Sequence, residues 1–428
     1  MTDRYELTMI DAAMRSGTAF RPSVFEVFAR RLPGARRYGV VAGTGRFLER
    51  LAEFRFGDDE LRFLRENDVV SAELLDWLAE YRFSGSIRGY AEGELYFPGS
   101  PILVVEGSFA EAVVLETVAL SVLNYDSAVA NAATRMARAA QDRPVAEMGS
   151  RRASEEAAIA AARAAYIAGF SATSNLAAGA RWGIPTMGTA AHSFTLLHDS
   201  EAAAFLAQID THGVGTTLLV DTYDIEQGIR TAVEIAGTEL GGIRLDSGDL
   251  AEVAGEARAL LDSLGATGTR ITVTSDLDEY AIAGLQASPV NAYGVGTSVV
   301  TGSGAPAAGM VYKLVARQGD DGAWVGVAKH SENKASKGGE KVAARRMRDG
   351  VAVEETVLLG GERALADASL DGRALQVPLV TDGEIDARWL GAAGVEAARE
   401  RHTRSVAELP ADAHRLARGE PAIPTVFR

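Results

Sequence analysis

Six histidines occur in the 428 residues, and one of them stands among small neighbours. The stretch "MGTAAHSFTLLHD" (187–199) carries His192 directly after Gly188, Thr189, Ala190 and Ala191. A core histidine normally sits among bulky apolar side chains, and zinc needs more ligands than one ring. No G-x-S-x-G elbow supplies a serine nucleophile for a triad. Small neighbours leave space for a large charged group, and an imidazole can itself be a covalent nucleophile. His198 has no such setting and reads as structural.

Other segments carry groups suited to phosphate chemistry. In "IRLDSGDL" (243–250), Asp249 suits the first turn of the following helix, and Asp246 or Ser247 can cap it. Asp246 has a second reading, as a contact to Mg²⁺ or to a ribose hydroxyl, because carboxylates are the usual hard-cation ligands. In "TSDLDEY" (274–280), Ser275 and Asp278 have capping-box-like spacing. Asp276 is left over and is the better functional candidate. "YGVGTSVVTGSG" (293–304) is a glycine-rich turn whose backbone N–H groups can approach an anion, with a helix start adding its dipole; it also reads as a plain tight turn. "EMGSRRAS" (147–154) places Arg151 and Arg152 before a helix, where a guanidinium fork can bind carboxylate or phosphate; Arg152 reads as solvated. Residues 328–348 hold seven Lys and Arg against two Glu, either a flexible surface loop or a mobile basic loop that closes over a polyphosphate.

The elements that must position these groups are legible from about residue 150. Helical segments such as "ASEEAAIAAARAAYIAG", "SEAAAFLAQIDTHG", "IEQGIRTAVEIAGTELG" and "DLAEVAGEARALLDSLG" alternate with short apolar segments. The strand candidates are "GFSAT", "IPTMGT", "TTLLVDTY", "GIRLDSG", "RITVTSD" and "VNAYGVGTS". Such alternation predicts parallel strands joined by crossover helices. His192, Asp221, Asp246, Asp276 and the Gly294/Gly296 loop fall at successive strand ends. Chemistry spread over one rim favours an irregular TIM-like α/β barrel over an open sheet with a single switch point. The expected division is an N-terminal α+β domain (1–135), a barrel domain (136–310) and a C-terminal segment (311–428) that packs back on the first. "SFAEAVVLETVALSVL" is apolar almost all round and predicts a buried helix. "MVYKLVARQGDDGAWVGVAKHS" predicts a β-hairpin-like pair.

Composition bounds the function. Hydrophobic residues make up 47% and the net charge is −15, so the chain is globular and its field repels nucleic acid. There are no cysteines, which removes disulfides and thiolate chemistry. The N-terminus "MTDRYELTMI" has no apolar signal-peptide core, and no uninterrupted apolar run reaches membrane-span length. The expectation is a cytoplasmic protein.

Taken together, "TDRYELTM", "FEVFARRLP", "EGSFAEAVVLETVALSVLNYDSAVANAATRM", "EMGSRRA", "GFSATSN", "GIPTMGTAAHS", "LLVDTYD", "IRLDSGDL", "TSDLDEY", "YGVGTS" and "YKLV" resemble the nicotinate phosphoribosyltransferase family, a type II phosphoribosyltransferase group. The resemblance implies a barrel-like domain beside a domain shared by the chain's two ends. It implies conversion of nicotinate and phosphoribosyl pyrophosphate to nicotinate mononucleotide and pyrophosphate, assisted by ATP and Mg²⁺, with His192 as the phosphorylated residue. On the same basis Arg151 is a nicotinate-side residue that pairs with the carboxylate or the nearby phosphate, and Tyr5 stacks on the pyridine ring from the partner subunit of a homodimer. Arg244, Asp246, Asp276, Gly294, Gly296, Thr297 and Lys313 are implied as ribose and phosphate contacts, with Asp246 the metal candidate. Ser174 stands where nicotinamide-using relatives carry an aspartate; an aspartate would repel a carboxylate, so Ser174 favours nicotinate. Two positions depart from the pattern: Met148 replaces a stacking aromatic, and Gly338 stands where a proline is common.

Three other readings remain. Nicotinamide phosphoribosyltransferase predicts activity on the amide. Quinolinate phosphoribosyltransferase uses no phosphohistidine and a much shorter chain. A non-catalytic nucleotide-binding paralogue predicts binding without turnover.

Overall fold

The computed structural model describes residues 1–329, 337–361 and 372–428. They form two compact units, one of residues 132–304 and one of residues 1–131 with 305–428.

The 132–304 unit is built on a six-stranded sheet. Its order is Ala172–Thr173, Val145–Glu147, Ala292–Val295, Arg270–Val273, Gly242–Leu245, Thr217–Leu219. Every pairing is parallel. A single parallel bridge between Thr173 and Thr186 extends the Ala172–Thr173 edge. Read from the other edge, the order is a cyclic permutation of chain order. Leu218, Ile243, Leu245, Ile271, Val273 and Val295 are fully buried, the two-sided burial that parallel strands require. Helices cross over between strands, among them Glu155–Ile167, Glu201–His212, Ile225–Ala236 and Leu250–Ser263. Their starts are fixed locally. Ser200, Asp224 and Asp249 each accept backbone N–H groups of the first turn.

Two strand expectations change. "IPTMGT" does not form a strand, and Thr186 makes only the isolated bridge. Val145–Glu147 is a strand that the sequence did not signal, three residues long and flanked by Pro144 and Gly149. The sheet therefore holds six strands, but not the six expected.

In the other unit, Pro22–Ala29 lies between Met310–Gln318 and Leu103–Ser108 in an antiparallel seven-stranded sheet. The two chain ends thus share one sheet. One face packs on a large core that includes Phe25, Val27, Tyr90, Val105 and Tyr312. Met310–Gln318 and Trp324–Gly326 form the expected hairpin-like pair.

Residues 109–140 hold the helices Phe109–Val113 and Glu116–Ala140. This stretch is long and apolar enough to cross a membrane by length and composition, yet 67% of its most apolar window is buried inside the protein. Asp126, fully buried, takes both Nε and an amino group of Arg46 at 2.9 and 3.1 Å. Asn131 accepts the Val40 N–H at 2.6 Å. A helix that solvates buried polar groups with its own fold is a core helix.

Candidate active site

The carboxyl ends of the parallel strands converge on His192. Thr217–Leu219 leads to Asp221, Gly242–Leu245 to Asp246, and Arg270–Val273 to Thr274. His192 itself is not at a strand end. It is the first residue of the helix His192–Leu197, and the extended residue Ala191 precedes it. Its Nδ1 lies 3.2 Å from Thr222 Oγ1. Its Nε2 lies 3.9 Å from Asp221 Oδ1 and 3.8 Å from Asp246 Oδ2. The imidazole is 40% exposed, while the Asp221 side chain is 1% exposed. Asp221 Oδ2 accepts the Asp246 N–H at 2.7 Å and the Ser247 hydroxyl at 2.8 Å. Its Oδ1 is buried with no hydrogen-bond partner among the described residues. Thr274 donates to Asp246 Oδ1. The carboxylates are thus held in place by neighbouring strands while the ring faces open space.

Cationic groups border this cluster. Arg244 donates to the Thr189 hydroxyl and is mostly buried, and its Nε has no partner among the described residues. Burial pushes its pKa down; Asp246 and Asp221 oppose this, and the charge of Arg151 adds to it. Arg151 is exposed on the single turn Ser150–Arg152. Ser174 is exposed on the loop after Ala172–Thr173.

Met148 occupies the space a side chain would need at Gly294. A Cβ there would stand 2.6 Å from Met148 Sδ and 2.6 Å from Thr274 Cγ2. Gly294 is accordingly a buried strand residue, not part of the loop expected from the sequence. Gly296 and the exposed Thr297 follow it, but the helix Thr297–Val300 has only four residues, so little macrodipole supports the glycine-rich turn. Asp278, not Ser275, caps the helix Glu279–Gly284 by accepting from Tyr280 and Ala281 N–H. Ser275 instead sits at φ 117°, a left-handed conformation that costs a non-glycine residue energy. Asp276 beside it is exposed and makes no hydrogen bond to the His192 cluster among the described residues.

Tyr5 and Lys313 belong to the other unit, where both meet Glu116. Lys313 Nζ lies 3.6 Å from Glu116 Oε1 and donates to the Tyr312 carbonyl at 2.6 Å. Burial and the charge of Glu116 push the Tyr5 phenol up to about 12, so it stays neutral. Tyr5 as a whole is 45% exposed, and its ring can stack.

Residues 1–124 match the nicotinate phosphoribosyltransferase N-terminal domain. Over 434 aligned residues the chain is 55% identical to nicotinate phosphoribosyltransferase pncB1 of Mycobacterium tuberculosis, covering 99% of this chain and 94% of that protein. The chain belongs to the nicotinate phosphoribosyltransferase family. The Bacillus subtilis nicotinate phosphoribosyltransferase is 40% identical over 342 residues, 78% of this chain and 69% of that one. The crystal structure of human nicotinic acid phosphoribosyltransferase superposes with a TM-score of 0.77 at 24% identity, over 100% of this chain and 97% of that one. Nicotinate-nucleotide pyrophosphorylase from Pyrococcus furiosus gives 0.76 at 22% identity over 95% of both chains, and these two likenesses establish an α/β fold with a parallel sheet.

The basic stretch 328–348 is not a loop throughout. Residues 330–336 lie outside the described residues, and Lys341–Arg348 is a strand paired antiparallel with Val351–Leu359. Lys341 is buried against Glu26 Oε2 at 3.0 Å. Arg345 is fully buried between Glu94 at 2.9 Å and Glu355 at 2.7 Å. Lys341 and Arg345 are thus paired inside that unit. The sequence reading also passed over Thr222 and Glu147, and noted Asp221 only as a rim position. A signal existed for Thr222, which follows Asp221 at a strand end.

Proposed function

We propose that this chain transfers the phosphoribosyl group of phosphoribosyl pyrophosphate to nicotinate, giving nicotinate mononucleotide and pyrophosphate for NAD salvage. We propose further that ATP hydrolysis is coupled to this transfer through phosphorylation of His192. The observation that carries the reading is the half-exposed imidazole with two carboxylate oxygens about 4 Å from Nε2 and a hydroxyl on Nδ1. As the ring attacks the terminal phosphorus of ATP, a P–N bond forms, the P–O bond to ADP breaks, and the ring gains positive charge; water later breaks the P–N bond, releases phosphate and restores the free imidazole. Asp221 and Asp246 stabilise that charge. In the transfer itself the C1–O bond to pyrophosphate breaks as the C1–N bond to nicotinate forms. Arg244 and Arg151 are placed to compensate the anionic charge of the leaving group and the substrate carboxylate. The strand order, cyclic and extended by Thr186, supports an irregular TIM-like barrel with this rim at its mouth.

Mg²⁺ fits this donor set as a substrate-borne ion. Among the described residues no group of three or more His, Cys, Asp or Glu could hold a metal alone. Mg²⁺ is commonly held by one or two carboxylates plus phosphates and water. Asp246 Oδ2 and the unpartnered Asp221 Oδ1 meet that requirement. When bound, the ion would neutralise phosphate charge. Asp276, Gly296, Thr297 and Lys313 are proposed as ribose and phosphate contacts. Ser174 tolerates a carboxylate, which favours nicotinate over nicotinamide. The enzyme is proposed to work in the cytoplasm as a homodimer in which Tyr5 of one chain stacks on the nicotinate held by the other.

The test is incubation with ATP labelled at the γ-phosphate, followed by assay of acid-labile protein-bound phosphate. Wild type should take up label and His192→Ala should not. An unlabelled wild type would sink the coupled mechanism. Equal steady-state turnover of nicotinate and nicotinamide would defeat the Ser174 argument.

A further inference from the structure

The two residues assigned to the nicotinate side, Arg151 and Ser174, lie on separate segments, the turn Ser150–Arg152 and the loop after Ala172–Thr173. One buried side chain joins them. Glu147 is fully buried. Its Oε1 accepts the Gly149 N–H, which begins the turn that carries Arg151. Its Oε2 accepts the Thr173 hydroxyl at 2.6 Å. Its backbone carbonyl accepts the Ser174 N–H at 2.8 Å. The link then closes on itself. Thr173 Oγ1 accepts the Asn175 N–H at 3.0 Å, and Asn175 Nδ2 donates to Ser150 Oγ at 3.0 Å. Gly149 is pressed into this frame: a Cβ there would stand 3.0 Å from Glu147 Oε1 and 2.3 Å from Val300 Cγ1.

No cation pairs with Glu147 among the hydrogen bonds and ion pairs of the described residues. Burial pushes its carboxyl up, opposed by the Thr173 hydroxyl and the Gly149 N–H. A buried carboxylate is costly unless it is fully hydrogen-bonded, so both oxygens bind the frame to these donors with little slack. We propose that Glu147 is a positioning residue that sets the separation of the Arg151 turn and the Ser174 loop, and thereby the recognition of the pyridine carboxylate. This rests on the nicotinate reading above.

The experiment is steady-state kinetics on the full-length enzyme with nicotinate and phosphoribosyl pyrophosphate varied separately, for wild type, Glu147→Ala, Glu147→Gln and Thr173→Val. Glu147→Ala removes both ties and should raise KM for nicotinate about tenfold, the scale of one lost charge-assisted hydrogen bond. KM for phosphoribosyl pyrophosphate should stay within about twofold, because the side-chain bonds of Glu147 run to Gly149 and Thr173 and to none of Arg244, Asp246 or Asp221. Glu147→Gln keeps an acceptor for Gly149 and can donate to Thr173, so it should restore KM to within about threefold of wild type. Thr173→Val keeps the shape but removes both the hydroxyl tie to Glu147 and the acceptor of the Asn175 N–H, and should raise KM for nicotinate about threefold, which serves if Glu147→Ala does not fold. A merely structural role would lower kcat through the active fraction and leave both KM values alone. Either that pattern, or an equal rise in both KM values, would overturn the proposal. A wild type inert toward nicotinate would sink the functional reading, whereas an active wild type with unmoved variants would sink this inference alone.

Discussion

Asp221→Asn, assayed at saturating Mg²⁺ so that the weakened metal donor is not limiting, removes the charge beside His192 with little change of shape. The asparagine carbonyl can take over the role of Oδ2 and accept from Asp246 N–H and Ser247 Oγ, now at 2.7 and 2.8 Å. Its amide then replaces the unpartnered Oδ1, which lies 3.9 Å from Nε2. Two unit charges at this separation interact by about 1 kcal/mol in water and about 4 kcal/mol at an effective dielectric of about 20. The ring is 40% exposed, so the lower part of this range applies, about 1–2 kcal/mol. If the ring gains positive charge when it is phosphorylated, the phosphorylation rate should fall about 5- to 30-fold. Rapid-quench, single-turnover labelling with excess ATP measures that rate without interference from product release. The melting temperature, measured in parallel, should stay close to wild type because the buried donors keep an acceptor. A well-folded Asp221→Asn enzyme phosphorylated within twofold of the wild-type rate would refute the electrostatic role assigned to the pair. A slow enzyme that is also grossly unstable would show that Asp221 acts through the fold.

Three further outcomes are expected. Lys341 and Glu26 are each 2% exposed; Lys341→Met should lose about 3–5 kcal/mol in urea unfolding by stranding a buried carboxylate, and Glu26→Leu with Lys341→Met should recover much of it. If the double variant is no better than the single, the buried pair is not the cause. Burial raises the Glu94 carboxyl, but Arg345 and Arg373 more than offset this and hold it at about 2, against an ordinary 4.5. Its folded value lies below its unfolded one, so its stabilisation is full above pH 4.5 and is lost as pH falls towards 2. Thermal melts from pH 7 to 2.5 should show that acid limb, and Glu94→Gln should flatten it; an unchanged limb would remove Glu94 from the account. Tyr5→Ala should raise KM for nicotinate while Tyr5→Phe stays within about twofold, since stacking needs the ring and not the hydroxyl. Mixed Tyr5→Ala and Arg151→Ala chains should regain activity if sites are shared between subunits, and silence from every mixture would count against sharing.

What the sequence made legible follows how far each partner lies along the chain. The crossover helices were readable because their signals are local: apolar periodicity, with Asp249 accepting N–H groups two and three residues away. His198 likewise read as structural, and its Nδ1 lies 2.8 Å from the carbonyl of Phe194, four residues earlier. Ser275 misled because its spacing to Asp278 is that of a capping box, while the strand end forces it to φ 117° and moves the cap to Asp278. "IPTMGT" carries strand-forming residues but occupies an edge, where pairing depends on a neighbour that the sequence does not name. The charges of 341–348 looked solvated or ligand-seeking because their partners Glu26 and Glu94 lie 315 and 251 residues away. The members of the candidate site divide in the same way. His192 stood out through its small neighbours, a local property. Asp221 and Glu147 gain their roles only from loops that the fold brings to them, Asp246 and Ser247 in one case and Gly149 and Thr173 in the other. A nucleophile can be recognised by the space left around it, whereas the groups that aim it are defined by bonds no local pattern encodes. Substitutions at Asp221 and Glu147 therefore test the fold's contribution to the chemistry, and substitution at His192 tests the chemistry itself.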